Sequence, residues 1–174
     1  DGSSDVGYRG LGVGRSGYSG KAFPATQQEL KFSFVGLVAF YDPPKKNIST
    51  VLKAFYQAGI AVKIITGDYA LTTQSIAREI GFHGSGESIN GEELLLLPEN
   101  KLREKVAATN IFSRMFPEAK LKVINALKAG KEIVAMTGDG VNDGPALKAA
   151  HIGIAMGSKG TEIAKEAASL VLLD

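Results

Sequence analysis

Thr137-Gly138-Asp139-Gly140-Val141-Asn142-Asp143-Gly144-Pro145-Ala146-Leu147 follows the apolar run Ile133 to Met136 and decides the architecture. A short apolar strand that turns through glycines and acids into a helix delivers its loop to the carboxyl edge of a sheet, where α/β proteins gather their chemistry. A shorter copy of the device, Thr66-Gly67-Asp68, closes the strand-like run Val62 to Ile65. Either tripeptide alone is ordinary turn chemistry, since any strand-to-helix connection needs a glycine and a capping residue. Two acids, an asparagine and three glycines in one connection exceed that need, and the longer loop reads as phosphate and metal chemistry. Asp139 and Asp143 lie four residues apart. A helix beginning near Asn142 lets one carboxylate meet a hard cation while the other orients the loop or a neighbouring cation.

Working outward, the same strand-then-helix pattern repeats. Ile48, Val51, Leu52 and Phe55 fall at helical spacing after Asp42-Pro43-Pro44, and Gly59 marks the helix end. Thr66-Gly67-Asp68 leads into a helix ending near Gly81. Ile111-Phe112-Ser113 precedes a helix from Pro117 to Ala129, and Ile152 to Met156 precedes a helix over Thr161 to Ala168 and a last strand at Leu170 to Leu173. Strands alternating with helices predict an α/β fold with a mostly parallel, doubly wound sheet. Phe32 to Phe40 reads as a further strand, stopped by the prolines. Residues 84–108, with Asn90-Gly91 as a turn and short helical stretches at Glu92 to Leu96 and Lys101 to Ala107, read as a surface excursion. Asp1 to Gly20 holds seven of the 21 glycines and four serines, which predicts a flexible lead-in or a glycine-broken edge whose start looks cut.

Composition narrows the function classes. In 174 residues, 44% are hydrophobic, enough for a real core. Twenty basic against 18 acidic residues, net +2, give no pull toward nucleic acid or anionic lipid. With no cysteine and only His83 and His151 as imidazoles, a metal site must be built from oxygen ligands, which favours magnesium over zinc. The longest apolar run, Phe34 to Tyr41, is eight residues, far short of the roughly 20 that span a bilayer. The segment is expected to be soluble as it stands.

Taken in order, Asp42-Pro43-Pro44-Lys45, Thr66-Gly67-Asp68, Asn90-Gly91-Glu92-Glu93-Leu94, Phe112-Ser113-Arg114 with Pro117 and Lys120, Thr137 to Leu147, and Ile152-Gly153-Ile154-Ala155-Met156-Gly157 resemble the phosphorylation domain of P-type cation-transporting ATPases. The likeness is strongest to the calcium-pump and sodium-pump branch and runs from about Phe34 to Asp174. Residues 1–31 then correspond to the tail end of a nucleotide-binding domain or a lead-in, and Gly7-Tyr8-Arg9-Gly10-Leu11-Gly12-Val13 is similar to the last stretch of that domain. Residues 32–174 correspond to the phosphorylation domain.

The resemblance implies a haloacid-dehalogenase-like Rossmannoid fold, with ATP as substrate and Mg2+ as cofactor, in which an aspartate is phosphorylated and dephosphorylated as a cation moves. Transfer of a phosphoryl group needs its oxygens neutralised by positioned donors, a lysine and a metal. On this chain the resemblance implies a catalytic set of Lys120, Thr66 and Asp139. Thr66, Gly67, Asp68, Arg114, Lys120 and Asn142 contact phosphate or nucleotide, and Asp139, with Asp143 as a further candidate, ligates the metal. Asp143 is better suited to holding the loop or Lys120. Without the motif, Lys120 would read as a solvated surface lysine and Arg114 as an ion-pair partner as readily as a ligand contact. His151 reads as a boundary residue, and Gly144 replaces the family's usual alanine.

The family's nucleophile lies in Asp-Lys-Thr-Gly-Thr, and no aspartate of this chain is followed by Lys-Thr. Self-phosphorylation is therefore not expected of it. The segment bearing that motif also supplies the central strand between those ending at Thr66 and Thr137. Its slot is expected to be filled by the Phe32 to Phe40 region, by an adjacent molecule or by direct closure, with marginal stability or self-association of the isolated chain. The partners implied are the nucleotide-binding, actuator and transmembrane parts of a pump whose membrane-embedded remainder holds this segment on the cytoplasmic side, with calcium the first candidate ion. Two other readings stand beside it. A soluble phosphatase of the same superfamily needs its own N-terminal nucleophile, and a receiver-like phosphotransfer or binding module needs its acidic pair after the first strand rather than late.

Overall fold

The computed structural model describes residues 9–20 and 22–173. The expectations for residues 1–8, and the Gly7-Tyr8 part of the resemblance, lie outside the described residues. The elements run β1 (Arg9–Arg15), β2 (Ser33–Phe40), α1 (Ile48–Gln57), β3 (Ile64–Ile65), α2 (Ala70–Glu79), β4 (Ser88–Asn90), α3 (Gly91–Leu96), α4 (Glu99–Ala108), β5 (Ile111–Ser113), α5 (Pro117–Ala129), β6 (Ala135–Gly138), α6 (Gly144–Ala149), β7 (Ile152–Met156), α7 (Glu162–Ala167) and β8 (Leu170–Leu172). A 3₁₀ turn, Val141–Asp143, precedes α6. The longer loop thus winds up one residue before Asn142.

These strands form an antiparallel ribbon β1-β2 and two parallel sheets, ordered β3-β5-β4 and β6-β7-β8. In β5 successive side chains point to opposite faces. Ile111 joins Leu52, Ala77 and Phe82 under α1 and α2, whereas Phe112 joins Leu94, Leu102, Val106, Ala119 and Val123 under α3, α4 and α5. This sheet is wound on both faces. The second sheet buries Met136 and Ala155 against α5, α6 and α7 through Ile124, Ala146, Leu147 and Ala164. Its opposite face carries Ile152, Leu170 and Leu172, all of them exposed.

The expected missing strand shows as a discontinuity. β3 and β6 are each an edge of their own sheet, and no pairing joins them. Ile65 of β3 nevertheless packs against the cluster that contains Met136 of β6, so the two free edges border one slot. Leu127 of α5 also touches both cores. Two of the expected remedies are overturned: the slot is not closed directly, and the Phe32 to Phe40 strand does not fill it. That strand instead pairs with β1 from Ser33 to Phe40 around a bulge at Val35, because the Arg9–Arg15 segment offers it a backbone partner. Gly10, Gly12 and Gly14 therefore belong to a paired edge, not a flexible lead-in. The ribbon leaves Phe34 and Leu37 more than 70% exposed, at 72% and 76%.

Residues 84–108 are not a surface excursion. Ser88–Asn90 adds the outer parallel strand beside β5, and Ile89, Leu94, Leu102 and Val106 are buried in the principal core. Asn90 caps α3 rather than turning the chain: its Oδ1 accepts from the Glu93 N–H at 2.9 Å. The two-residue strand β3 is shorter than the Val62 to Ile65 run, which also contains Lys63. The Lys63 ammonium leaves the strand and donates to the Thr109 carbonyl at 2.6 Å, the Ala107 carbonyl at 3.0 Å and Asn110 Oδ1 at 3.2 Å, capping the carboxyl end of α4.

Burial pushes the Lys63 pKa below 10.5, an effect that Glu132 opposes. The unfolded chain therefore holds more protons than the folded one between the lowered value and 10.5, and stability gained through this group rises with pH across that window. Lys63→Met removes the partner of the part-buried Thr109 carbonyl and of the exposed Ala107 carbonyl and is expected to cost about 1 kcal/mol at neutral pH in urea denaturation. The gap between wild type and variant should widen as pH climbs toward 10.5.

Candidate functional site

β3 and β6 each end at the carboxyl edge in one of the two Thr-Gly-Asp turns. In the first, Thr66 continues the pairing by donating its N–H to the Phe112 carbonyl at 2.9 Å. Its Oγ1 accepts from the Asp68 N–H at 3.1 Å, which fixes the turn and leaves the hydroxyl proton available to donate. Arg114 and Met115 return the chain to the same turn, their N–H groups donating to the Asp68 and Thr66 carbonyls, both at 2.8 Å. Arg114 pays for this with a left-handed backbone, φ 48°, unusual for a side-chain-bearing residue. Its guanidinium lies 5.2 Å from the centre of the exposed Tyr69 ring. Gly67 is not crowded by the protein itself, since an added Cβ would meet nothing nearer than the Met115 carbonyl oxygen at 3.8 Å.

The second turn is built differently. Lys120 sits in the first turn of α5, whose Pro117 start presets the helix. It is 9% exposed, and its Nζ lies 2.7 Å from Asp143 Oδ1. The other oxygen, Oδ2, accepts from the Gly140 N–H at 3.1 Å. Two glycines make room for this carboxylate: an added Cβ at Gly138 would come within 2.7 Å of Asp143 Cβ, and one at Gly140 within 3.3 Å of its Oδ2. The glycine content of the loop is thus set by the burial of Asp143. Asp139 and Asn142 are exposed on the same loop. The Asp139 carbonyl accepts from the Thr161 N–H at 2.9 Å, and no described side chain engages its carboxylate.

The sequence-predicted residues therefore fall in two groups, one on each side of the slot. Thr66, Gly67, Asp68 and Arg114 form a hydrogen-bonded turn at the end of β3, while Lys120, Asp139, Asn142 and Asp143 gather around the loop after β6. Beside the first group lies a cavity of about 320 Å³ lined by Tyr69, Leu71, Asn90, Glu93, Ser113 and Arg114. Tyr69 in this lining was not singled out from sequence; its place immediately after Thr66-Gly67-Asp68 was the available signal. His151 is more than a boundary residue: its Nδ1 accepts from the Val134 N–H at 3.1 Å, while its own N–H donates to the Val134 carbonyl at 2.9 Å, zipping the start of β6 to β7.

Magnesium is held through one or two carboxylates, substrate phosphates and retained waters rather than by an all-protein cage. Among the described residues no group of three or more His, Cys, Asp or Glu side chains converges. Asp143 has both oxygens engaged, so Asp139 is the carboxylate with ligand capacity to spare. The donor set fits an ion shared with a phosphate.

A profile of haloacid dehalogenase-like hydrolases matches residues 18–151. With the parallel sheets and the acidic loops at their carboxyl edges, the chain belongs to the haloacid dehalogenase-like hydrolase family. Within it, the chain is 46% identical over 147 residues to the probable cation-transporting ATPase F of Mycobacterium tuberculosis, covering 82% of this chain and 16% of that protein. It is 43% identical over 145 residues to the human calcium-transporting ATPase type 2C member 2, covering 83% and 15%. To the calcium-transporting ATPase 1 of Lactococcus lactis it is 44% identical over 141 residues, covering 80% and 16%. The chain thus spans 15–16% of the length of these relatives. No helix among the described residues is long and apolar enough to cross a membrane.

Removing one partner of a buried ion pair strands the other charge, so Lys120→Met or Asp143→Asn is expected to cost about 3–5 kcal/mol. The double variant should cost clearly less than the sum, a coupling that a double-mutant cycle in urea measures.

Proposed function

We propose that this chain is a segment of an ATP-driven cation pump and supplies two walls of a site where an aspartate is phosphorylated and dephosphorylated. The observation that carries the reading is the pair of Thr-Gly-Asp turns flanking an unfilled strand slot, one holding an available hydroxyl and the other a buried lysine beside an unengaged carboxylate. A strand inserted parallel to β3 and β6 would bring its own carboxyl end between them. An aspartate there attacks the γ-phosphorus of ATP; an O–P bond to the carboxylate forms as the bond to ADP breaks.

In this reading Lys120 neutralises charge on the phosphoryl oxygens with the N–H groups that Asp143 does not take, and Asp143 fixes its direction. The Thr66 hydroxyl, the Gly67 N–H and the Asn142 amide donate to the same oxygens, and the open space at Gly67 admits them closely. Asp139 holds Mg2+, which when bound offsets phosphate charge. Asp68 and Arg114 face the nucleotide. Calcium is the first candidate cargo, because two relatives at 43% and 44% identity are named calcium-transporting ATPases.

The same reading accounts for the bare apolar surfaces. Residues 1–31 belong to the end of the nucleotide-binding part and 32–174 to the phosphorylation part, and the remainder of the pump covers the ribbon and the open face of the second sheet. That remainder spans the membrane and keeps this segment on its cytoplasmic side. Alone, the chain self-associates through those faces.

Titration of the chain with MgATP should shift the amide resonances of Thr66, Gly67, Asp68, Arg114 and Asn142, and Mg2+ alone should bind only at about millimolar concentration. Radiolabelled ATP should leave no phosphate on the chain by itself. Adding a peptide that carries an apolar strand ending in Asp-Lys-Thr-Gly-Thr should yield an acyl phosphate on the peptide. Self-labelling of the chain, or micromolar affinity for Mg2+ alone, contradicts the proposal.

A further inference from the structure

Asp139 is exposed and lacks a side-chain partner, so the direction of its carboxylate depends on what holds its backbone. That hold comes from the loop after β7. The Gly160 N–H donates to the Met156 carbonyl at 2.7 Å, and a Cβ at Gly160 would collide with that carbonyl oxygen, so the turn closes only with glycine there. It delivers the Thr161 N–H to the Asp139 carbonyl at 2.9 Å. Thr161 is in turn the N-cap of α7, its Oγ1 accepting from the Ala164 N–H at 3.3 Å. The helix is seated on the catalytic loop: Ala164 is fully buried, and an added Cβ at Gly144 would meet Ile163 Cγ2 at 3.3 Å.

We propose that Thr161 is a positioning residue for Asp139. Its backbone clamps the metal-facing loop, and its hydroxyl holds that backbone in place by capping a helix packed on the other end of the same loop. The inference rests on the reading of Asp139 as the magnesium ligand. Partners of this kind, one step removed from the metal, govern affinity without touching it.

The test compares Thr161→Val, which keeps the shape and loses the cap, with Thr161→Ser, which keeps the cap. Asn90→Ala removes an equivalent cap from α3 and controls for stability alone. Amide shifts of Gly138 to Gly140 are followed in MgCl2. Thr161→Val should weaken Mg2+ binding about tenfold or more, whereas Thr161→Ser and Asn90→Ala leave it unchanged. Unchanged affinity in Thr161→Val overturns the inference. A wild-type chain without any Mg2+ response at this loop overturns the metal assignment instead. Hydrogen exchange at the Gly140 amide then decides the role of Thr161: faster exchange in Thr161→Val than in Asn90→Ala supports it, and equal exchange refutes it.

Discussion

The buried pair between Lys120 and Asp143 ties the two halves of the molecule together. Lys120 belongs to α5, whose Ala119, Val123 and Ala126 line the core of the first sheet while Ile124 lines that of the second. Asp143 belongs to the loop and helix start that follow β6. Without a sheet running continuously between them, the halves are joined through α5, Ile65 and this ion pair. Burying two charges is expensive, and the expense is met here by close geometry and by the Gly140 N–H on the second oxygen. A pair of hydrophobic residues would hold the halves as well. What it would not do is leave an ammonium with unused protons at a carboxyl edge beside the slot.

Three lysines perform a related service elsewhere. Lys63, just before β3, and Lys122 and Lys128 of α5 reach the terminal carbonyls of neighbouring helices, at Thr109, Leu95 and Ala149. Cations at helix carboxyl ends satisfy carbonyls that have no intrahelical partner and complement the helix dipole. Only the Lys128 bond reaches α6 on the second sheet; those of Lys63 and Lys122 stay within the layer of the first.

Much of this was legible in sequence because the repeating strand-then-helix units carry long apolar periods bounded by proline and glycine. β5, α5 and β7 fall where those signals put them. Within residues 84–108 the two short helices fall where expected, but the strand and its place in the core were missed, because Ser88–Asn90 is too short to show alternation and Asn90-Gly91 imitates a turn. The spacing from Asn90 to Glu93 was the better signal, since it forms a capping box. Lys63 escaped notice inside an otherwise apolar run. At the site, the glycines around Asp143 were visible as an excess, but their purpose, room for a buried carboxylate, appears only in three dimensions. Thr161 was visible only as the start of a helix; its link to Asp139 was not, because that link runs through backbone atoms that every residue possesses.

The open slot is the claim on which the account stands, and hydrogen exchange at the Ile65 amide tests it most directly. Ile64 and Thr66 donate their N–H groups toward β5, so the alternation of a strand points the Ile65 N–H into the slot. In the monomeric chain, the Ile65 amide should exchange far faster than those of Ile64 and Thr66. Equal protection at all three would mean that the slot is closed, contradicting the account.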